Sequence, residues 1–141
     1  MTIILDRVPL ELVETFWPHI EPHIRAGCEA VTTEVTPEFI LSEALADRRM
    51  LWVAMDTDNP LPFLGAASVG FRNTNDGQVF FVDAIGGRER ERWLDQCLEE
   101  LHAHAKAAGM RSGEFEGRVG WERVLEKHGY RVVRQVYAKV L

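Results

Sequence analysis

Two glycines followed by arginines form the part of the sequence best suited to binding an anion. Gly86 and Gly87 follow an apolar run over residues 79–85. Arg88 and Arg90 come next, at the start of a long amphipathic stretch. Glycine lets backbone N–H groups approach a ligand closely, and the first turn of a helix favours negative charge. The pattern therefore predicts a phosphate-binding turn, with an ordinary tight turn as the alternative.

Asp83 is the acidic residue inside this apolar run, and it is the candidate general base. A carboxylate on a mostly buried strand can have a raised pKa and can accept a proton near neutral pH. A hydrogen-bonded structural aspartate is the alternative, and the sequence leaves both open.

Other polar residues give weaker signals. His19 and His23 have the i, i+4 spacing of a metal pair, but Pro22 lies between them and no third ligand is evident, so we expect no metal site. Glu114 and Glu116 share one face of a short strand. They could hold a cationic amine or remain solvated.

The amino-acid composition restricts the classes of protein to which this chain can belong. The 141 residues are 46% apolar and 27% charged, which predicts one folded domain over residues 1–141. The net charge of −6 counts against binding to duplex nucleic acid, which needs clustered cations. No apolar run has the length of a membrane span, so we expect no membrane partner. Two isolated cysteines, Cys28 and Cys97, favour a reducing compartment, and we expect a cytoplasmic protein.

The elements that must position the glycines and Asp83 follow from periodicity. Residues 79–85 are rich in Val, Phe and Ile, as expected of a mostly buried strand. Apolar residues then recur at spacings of three and four, which predicts a helix over 89–108 ended by Gly109. The apolar stripe of that helix consists of Trp93, Leu94, Cys97, Leu98, Leu101, Ala105 and Ala108.

The remaining elements are predicted from capping and turn residues. A first helix opens at Pro9, and we expect Pro18 and Pro22 to break it. Thr36 and Pro37 are typical of the start of a second helix.

Three apolar runs, over 50–55, 63–71 and 79–85, are separated by turn residues and predict an antiparallel meander. A short strand (112–116), a short helix (120–128) and a last strand (130–141) complete the chain. The order predicts an α+β fold, a mixed sheet with helices on both faces.

This order of elements resembles the GNAT superfamily of N-acyltransferases over nearly the whole chain. The local resemblance is strongest from Val79 to Tyr130. The Gly-Gly-Arg turn before the long helix and the stretch Gly117-Arg118-Val119-Gly120-Trp121 are especially similar to small phage-encoded GNAT-like proteins.

The resemblance implies that acetyl-coenzyme A lies in a wedge where two parallel strands splay apart. Its pantetheine arm would pair with the first of these strands, over Val82, Ala84 and Ile85. Its pyrophosphate would lie on the glycine turn and the helix start, at Gly86, Gly87, Arg88 and Arg90. An amine would then attack the thioester directly. The partners implied are this thioester and an unknown amine or protein acceptor. The sequence leaves open whether the protein is a homodimer.

Two departures from the family pattern bear on activity. Counted from Arg88, the positions where the family has small residues are Glu91 and Trp93. The position where many members have a tyrosine, as general acid for the leaving thiolate, is Leu125. The sequence therefore supports two functions: an acetyl-coenzyme A-dependent N-acetyltransferase, and a non-catalytic protein of the same fold with a structural or protein-binding role.

Overall fold

The architecture comes from a computed structural model that describes residues 3–30, 35–116, 119–135 and 137–141. Five strands form one sheet in the order β1-β2-β3-β4-β5. The strands are β1 (Ile3–Arg7), β2 (Arg49–Asp56), β3 (Phe63–Thr74), β4 (Gly77–Gly87) and β5 (Ser112–Phe115). The helices are α1 (Val13–Ala30), α2 (Pro37–Leu45), α3 (Leu94–Ala107) and α4 (Glu122–Lys127), with short 3-10 turns at Leu10–Leu12, Arg90–Arg92 and Val119–Trp121.

The sheet is mixed, as predicted. Strands β1 to β4 pair antiparallel with their neighbours, and β4 pairs with β5 in parallel. The parallel pair is possible because α3 crosses over between the two strands. The predicted meander, the hairpin at Asp76-Gly77 and the α+β class are confirmed.

Helices cover both faces of the sheet and divide the core in two. Helices α1 and α2 cover one face, and α3 together with Trp121 covers the other. The predicted stripe of α3 is buried against the sheet, apart from Ala108, which is exposed just beyond the helix. We call the face under α1 and α2 the α1 face and the face under α3 the α3 face. The buried clusters on these faces are the α1 core and the α3 core.

The predicted N-terminus of α2 is confirmed, and the predicted break in the first helix is wrong. Thr36 Oγ1 accepts a hydrogen bond of 3.1 Å from the N–H of Phe39. Helix α1, however, runs unbroken through Pro18 and Pro22. Both prolines lie on the exposed side, where water can satisfy the carbonyls that lose a partner. Burial of the opposite, apolar side stabilises the helix against the defect.

The predicted last strand is not part of the sheet. Among residues 130–135 and 137–141, none belongs to a strand, and the sheet ends at β5. Alternating apolar residues favour a strand only where a partner backbone is available to hydrogen-bond it. Val136, which was part of the predicted alternation, lies outside the described residues, as do Gly117 and Arg118.

Candidate functional site

Strand β4 extends beyond its parallel partner, and this leaves part of its edge open. The pairing with β5 runs from Val79 opposite Ser112 to Val82 opposite Phe115. On the other side, β4 pairs with β3 as far as Gly87. Within the described part of the chain, residues 83–87 therefore border a strand on one side only. An open strand edge can hydrogen-bond an extended ligand through its backbone groups.

A β-bulge lies where the two parallel strands separate. Ser68 of β3 is opposite Ala84, whereas the next residue, Val69, is opposite Val82. Asp83 is thus the extra residue in β4. A bulge bends its strand and locally changes which side chains face each side. Val82 faces the α3 core and Ala84 the α1 core.

Asp83 forms a buried ion pair with Arg49. Nη1 of Arg49 lies 2.9 Å from each carboxylate oxygen of Asp83 and 2.9 Å from Ser68 Oγ. The two side chains are only 5% and 3% exposed. The Arg49 guanidinium also lies 5.5 Å from the Phe81 ring centroid and 5.8 Å from that of Phe39, which places the pair on the α1 face. The structure therefore gives Asp83 a structural partner that sequence reasoning missed.

Gly86 and Gly87 are strand residues, so the prediction of a glycine turn here is wrong. They pair with Ala66 and Gly65 of β3. A Cβ atom on Gly86 would lie 2.3 Å from the carbonyl oxygen of His23 in α1. Gly87 has a φ of +154°, and a Cβ atom there would lie 2.4 Å from the carbonyl oxygen of Leu64. These glycines permit close packing of β4 against α1 and β3.

The predicted long helix begins later than its periodicity indicates. Glu89 has a left-handed φ of 53°, a 3-10 turn follows at Arg90–Arg92, and α3 starts at Leu94. The indole Nε1 of Trp93 donates a hydrogen bond of 2.9 Å to the carbonyl oxygen of Arg88. Because Trp93 is buried in the α3 core, this hydrogen bond attaches the backbone at Arg88 to that core.

A cleft of about 300 Å³ lies beside the open end of β4. It is lined by Ala26, Ala30, Ile85, Gly86, Gly87, Arg90 and Trp121. The guanidinium of Arg90 lies 4.6 Å from the centre of the Trp121 ring, a cation–π contact that holds the cation at the wall. The cleft can hold an elongated ligand with an anionic group near Arg90.

The structure brings four of the eight predicted site residues to the cleft. Ile85, Gly86, Gly87 and Arg90 line it. The side chains of Val82, Asp83 and Ala84 are buried within the protein, and that of Arg88 points elsewhere. The guanidinium of Arg88 instead donates to the carbonyl oxygen of Leu61 and lies 3.1 Å from Glu89.

Sequence reasoning missed the α1 wall of the cleft, which Ala26 and Ala30 provide. Their i, i+4 spacing of small side chains next to Gly27 was the available signal. A Cβ atom on Gly27 would lie 2.6 Å from the backbone nitrogen of Ile85, so α1 packs very close to β4.

The position implied for a general acid carries no proton donor. Leu125 is half-buried and packs against the α3 core. The nearby hydroxyl of Tyr130 lies 2.6 Å from Nε2 of His102. Burial raises the pKa of Tyr130 to about 12, and Tyr130 does not line the cleft.

The other candidates are engaged within the protein. His19 stacks on Phe63 at 4.9 Å, and a ring nitrogen of His23 lies 3.2 Å from the Phe63 carbonyl oxygen. No three His, Cys, Asp or Glu side chains of the described ranges are grouped to hold a metal. Glu114 pairs with two arginines, Arg72 and Arg134.

Two further observations concern a cysteine and the helices. Burial raises the pKa of the Cys97 thiol to about 12, so this cysteine is a core residue. No helix in the described part of the chain has the length and apolar character needed to cross a membrane.

Comparison with known proteins identifies the fold. No family model matches the sequence, and no curated protein matches it. Among solved structures, a GCN5-related N-acetyltransferase of Ralstonia eutropha JMP134 is similar with a TM-score of 0.71 and 11% identity, covering 99% of each chain. Glucosamine-6-phosphate N-acetyltransferase of Arabidopsis thaliana gives a TM-score of 0.67 and 16% identity, also over 99% of each chain.

A third similar structure contains the coenzyme. It is a predicted acetyltransferase of Clostridium acetobutylicum crystallised with acetyl-CoA, with a TM-score of 0.68 and 10% identity over 99% of this chain and 96% of that one. The chain thus has the fold of the GNAT N-acetyltransferases. At these identities the likeness concerns the fold, and the function rests on the residues of the site.

Proposed function

We propose that this protein is an acetyl-coenzyme A-dependent N-acetyltransferase that binds the coenzyme along the open end of β4. The observation that carries the proposal is the open edge of residues 83–87 beside a cleft that contains an arginine. Coenzyme A combines an extended, amide-containing arm with an anionic pyrophosphate. An open strand edge suits the arm, and Arg90 suits the pyrophosphate.

Different residues at the cleft would bind the two parts of coenzyme A, its amide-containing arm and its pyrophosphate. The backbone of Ala84 and Ile85 would pair with the arm where β5 has ended. Val82, predicted for the same role, lies opposite Phe115 instead, and its carbonyl oxygen accepts a hydrogen bond from the N–H of Glu116. Gly86 and Gly87 line the cleft without side chains that would fill it. Arg90 would hold the pyrophosphate, and Trp121 would keep the guanidinium in place. The Arg88 side chain has a weaker claim, because it is bound to Leu61 and Glu89.

When bound, acetyl-coenzyme A would supply an activated thioester for attack by an amine. The chain offers no proton donor at Leu125, so we infer that water protonates the leaving thiolate. General acid catalysis is typically worth about 10²–10⁴-fold, so its loss slows such a reaction without abolishing it. The role of Asp83 as the general base stays a prediction, because its carboxylate is buried against Arg49.

Calorimetry with acetyl-coenzyme A, followed by turnover assays with a panel of amines, tests the proposal. We expect saturable binding and slow acetylation of at least one amine. Acetyl-pantetheine, which lacks the pyrophosphate, is the matched control ligand and should bind more weakly. Absence of binding at millimolar acetyl-coenzyme A would overturn the proposal.

A second candidate function is ligand or protein binding without catalysis. Leu125 at the proposed acid position and buried Trp93 in place of a small residue favour it. Tight coenzyme binding without acetylation of any amine, including after Leu125→Tyr, would select this function over the first.

A further inference from the structure

The turn over residues 88–92 is tied by a side-chain ion pair to the end of β2. Nη2 of Arg92 lies 2.8 Å from Oδ2 of Asp56, the last residue of that strand. The two side chains are 20% and 6% exposed, so the pair is largely shielded from water. A short, charge-assisted hydrogen bond of this kind restricts the relative position of the two backbones that carry it. The pair therefore sets where the turn lies relative to β2.

Asp56 is itself held by the loop over residues 57–62, which connects β2 to β3. Its Oδ1 accepts a hydrogen bond of 3.0 Å from the N–H of Asp58, and its own N–H donates to the carbonyl oxygen of Pro62 at 2.8 Å. The hydrogen bond from Arg92 lowers the pKa of the Asp56 carboxyl, which keeps this group ionised near neutral pH. Asp56 is thus a fixed, charged anchor for Arg92.

The backbone of the turn has a conformation that needs support. Glu89 has a left-handed φ of 53°, which is unfavourable for a residue other than glycine and persists where the surroundings hold it. The N–H of Arg92 donates to the carbonyl oxygen of Glu89 at 2.9 Å, and Nη1 of Arg92 lies 3.3 Å from Glu89 Oε1. At the other end of the turn, the N–H of Arg88 donates to the carbonyl oxygen of Leu64 at 2.8 Å. Arg92 therefore holds both the end of the turn and its left-handed residue.

These attachments give the arginines of the turn different directions. The guanidinium of Arg88 donates to the carbonyl oxygen of Leu61, and that of Arg92 binds Asp56. The guanidinium of Arg90, which lies between them in sequence, is at the cleft. Neither Arg92 nor Asp56 is among the residues that line the cleft. Any effect of the pair on ligand binding must therefore pass through the backbone of the turn.

We propose that Asp56 and Arg92 are positioning residues for the coenzyme: their ion pair fixes the path of residues 88–92 and so directs the guanidinium of Arg90 at the pyrophosphate. This inference rests on the proposed function. It adds that the end of β2, outside the cleft, determines how strongly the protein prefers acetyl-coenzyme A over acetyl-pantetheine. A binding group contributes most when it is held in place before the ligand arrives.

The decisive variant is Asp56→Asn, which removes the charge of the anchor and keeps an oxygen that can accept from the N–H of Asp58. If Asp56 acted through its charge alone, this change would make the region more positive and would strengthen the binding of an anionic ligand. Positioning predicts the opposite sign. We expect calorimetry to show acetyl-coenzyme A binding weakened by about 3–30-fold and acetyl-pantetheine binding unchanged.

The matched control is Asp76→Asn. Oδ2 of Asp76 lies 3.7 Å from Nη2 of Arg111 in an exposed ion pair at the opposite end of β4, so the binding of both ligands should stay at the wild-type level. Circular dichroism should show that each variant is folded.

The outcomes separate this inference from the proposed function. If the wild type binds acetyl-coenzyme A and Asp56→Asn binds it equally or more tightly, the positioning role is wrong and the proposed function stands. An equal loss for acetyl-coenzyme A and acetyl-pantetheine would show general damage to the fold and would also overturn the positioning role. If the wild type binds no acetyl-coenzyme A, the proposed function and the positioning role both fall.

A double-mutant cycle tests whether the two residues act as one unit. Arg92→Gln should weaken acetyl-coenzyme A binding to a similar degree as Asp56→Asn. The double variant should bind no more weakly than either single variant, because the same ion pair is lost in all three. Losses that multiply in the double variant would contradict action through a shared ion pair.

Hydrogen exchange in the free protein provides a readout that needs no ligand. The amides of residues 88–93 should exchange faster in Asp56→Asn than in Asp76→Asn, since the turn has lost its anchor. The amides of residues 79–82 in β4 should exchange at the wild-type rate in both variants. Equal exchange over residues 88–93 in the two variants would overturn the proposal, whatever the calorimetry shows.

Discussion

The two halves of β4 have different neighbours. Residues 79–82 lie between β3 and β5. Residues 83–87 keep β3 as a neighbour and have an open edge beside the cleft. The bulge at Asp83 separates the two halves.

Two arginines near β4, Arg49 and Arg90, differ in their surroundings as the two halves of the strand do. Arg49 is buried beside the bulge, and its charge is neutralised by Asp83. Arg90 lies at the cleft against Trp121. A buried charge must be paired within the protein, whereas a cation at a cleft can interact with an anionic ligand. The comparison predicts that changes at the first arginine alter stability and changes at the second alter binding.

The largest effect should come from breaking the buried pair. Arg49→Met or Asp83→Leu alone should lower the free energy of unfolding by about 3–5 kcal/mol, because each leaves an unpaired buried charge. The double variant should recover most of this loss, as measured by urea denaturation. Arg48→Met, at an arginine that is 64% exposed and pairs with the half-buried Glu43, should cost less than about 1 kcal/mol.

The same variants separate structure from catalysis at Asp83. If Asp83 is the general base, a stable double variant should bind acetyl-coenzyme A and fail to acetylate. Undiminished turnover by that variant would remove Asp83 from the chemistry.

A smaller effect is expected at the open end. Arg90→Glu should weaken acetyl-coenzyme A binding by about 10–100-fold, the value of a charge-assisted hydrogen bond, and leave acetyl-pantetheine binding unchanged. Arg88→Glu is the matched control and should have a lesser effect, because its guanidinium is bound elsewhere. Calorimetry showing equal losses for both variants would contradict the assignment of the cleft arginine.

The glycines of the open half should be sensitive to a single methyl group. Gly86→Ala should cost about 1–3 kcal/mol, since its Cβ atom would collide with the α1 backbone. Gly120→Ala should be nearly neutral, because among the described residues no atom beyond its chain neighbours lies within 4 Å of its Cβ position. Thermal unfolding of both variants measures the difference; equal midpoints would mean that α1 can shift away from β4.

The smallest effect is a pH dependence of the free energy of unfolding, and it is caused by His102 in α3 rather than by β4. Burial and the neighbouring His128 lower the pKa of His102, and Glu99 partly opposes this. The unfolded chain therefore binds a proton at His102 before the folded protein does. Stability should fall as the pH drops below about 6.5 and level off below the lowered folded pKa. Urea denaturation across this range should show a shallower dependence for His102→Gln. Identical slopes would assign the effect to another group.

Much of the fold could be predicted because its signals are local. The apolar runs of β2, β3 and β4, the cap at Thr36 and the stripe of α3 each depend on neighbours within a few residues. For the candidate site, the structure shows that Ile85 and Arg90 line a cleft and that the Arg88 side chain lies outside it. Coenzyme binding by these residues stays a prediction.

The errors have a common origin in contacts between distant residues. The role of Gly86 depends on a carbonyl in α1 that is 63 positions earlier. Arg49 and Asp83 are 34 positions apart, so neither sequence context indicates the pair. Helix α1 continues through its prolines because its opposite side is buried by the sheet.

The sequence by itself determined the order of strands and helices from α1 to α4 and which side of each is apolar. These properties follow from backbone geometry and from the periodicity of burial. The tertiary structure alone decided where β5 stops beside β4 and which arginine reaches the cleft. The physical reason is that an edge, a cleft and an ion pair are defined by groups far apart in sequence, and only the packed sheet brings them together.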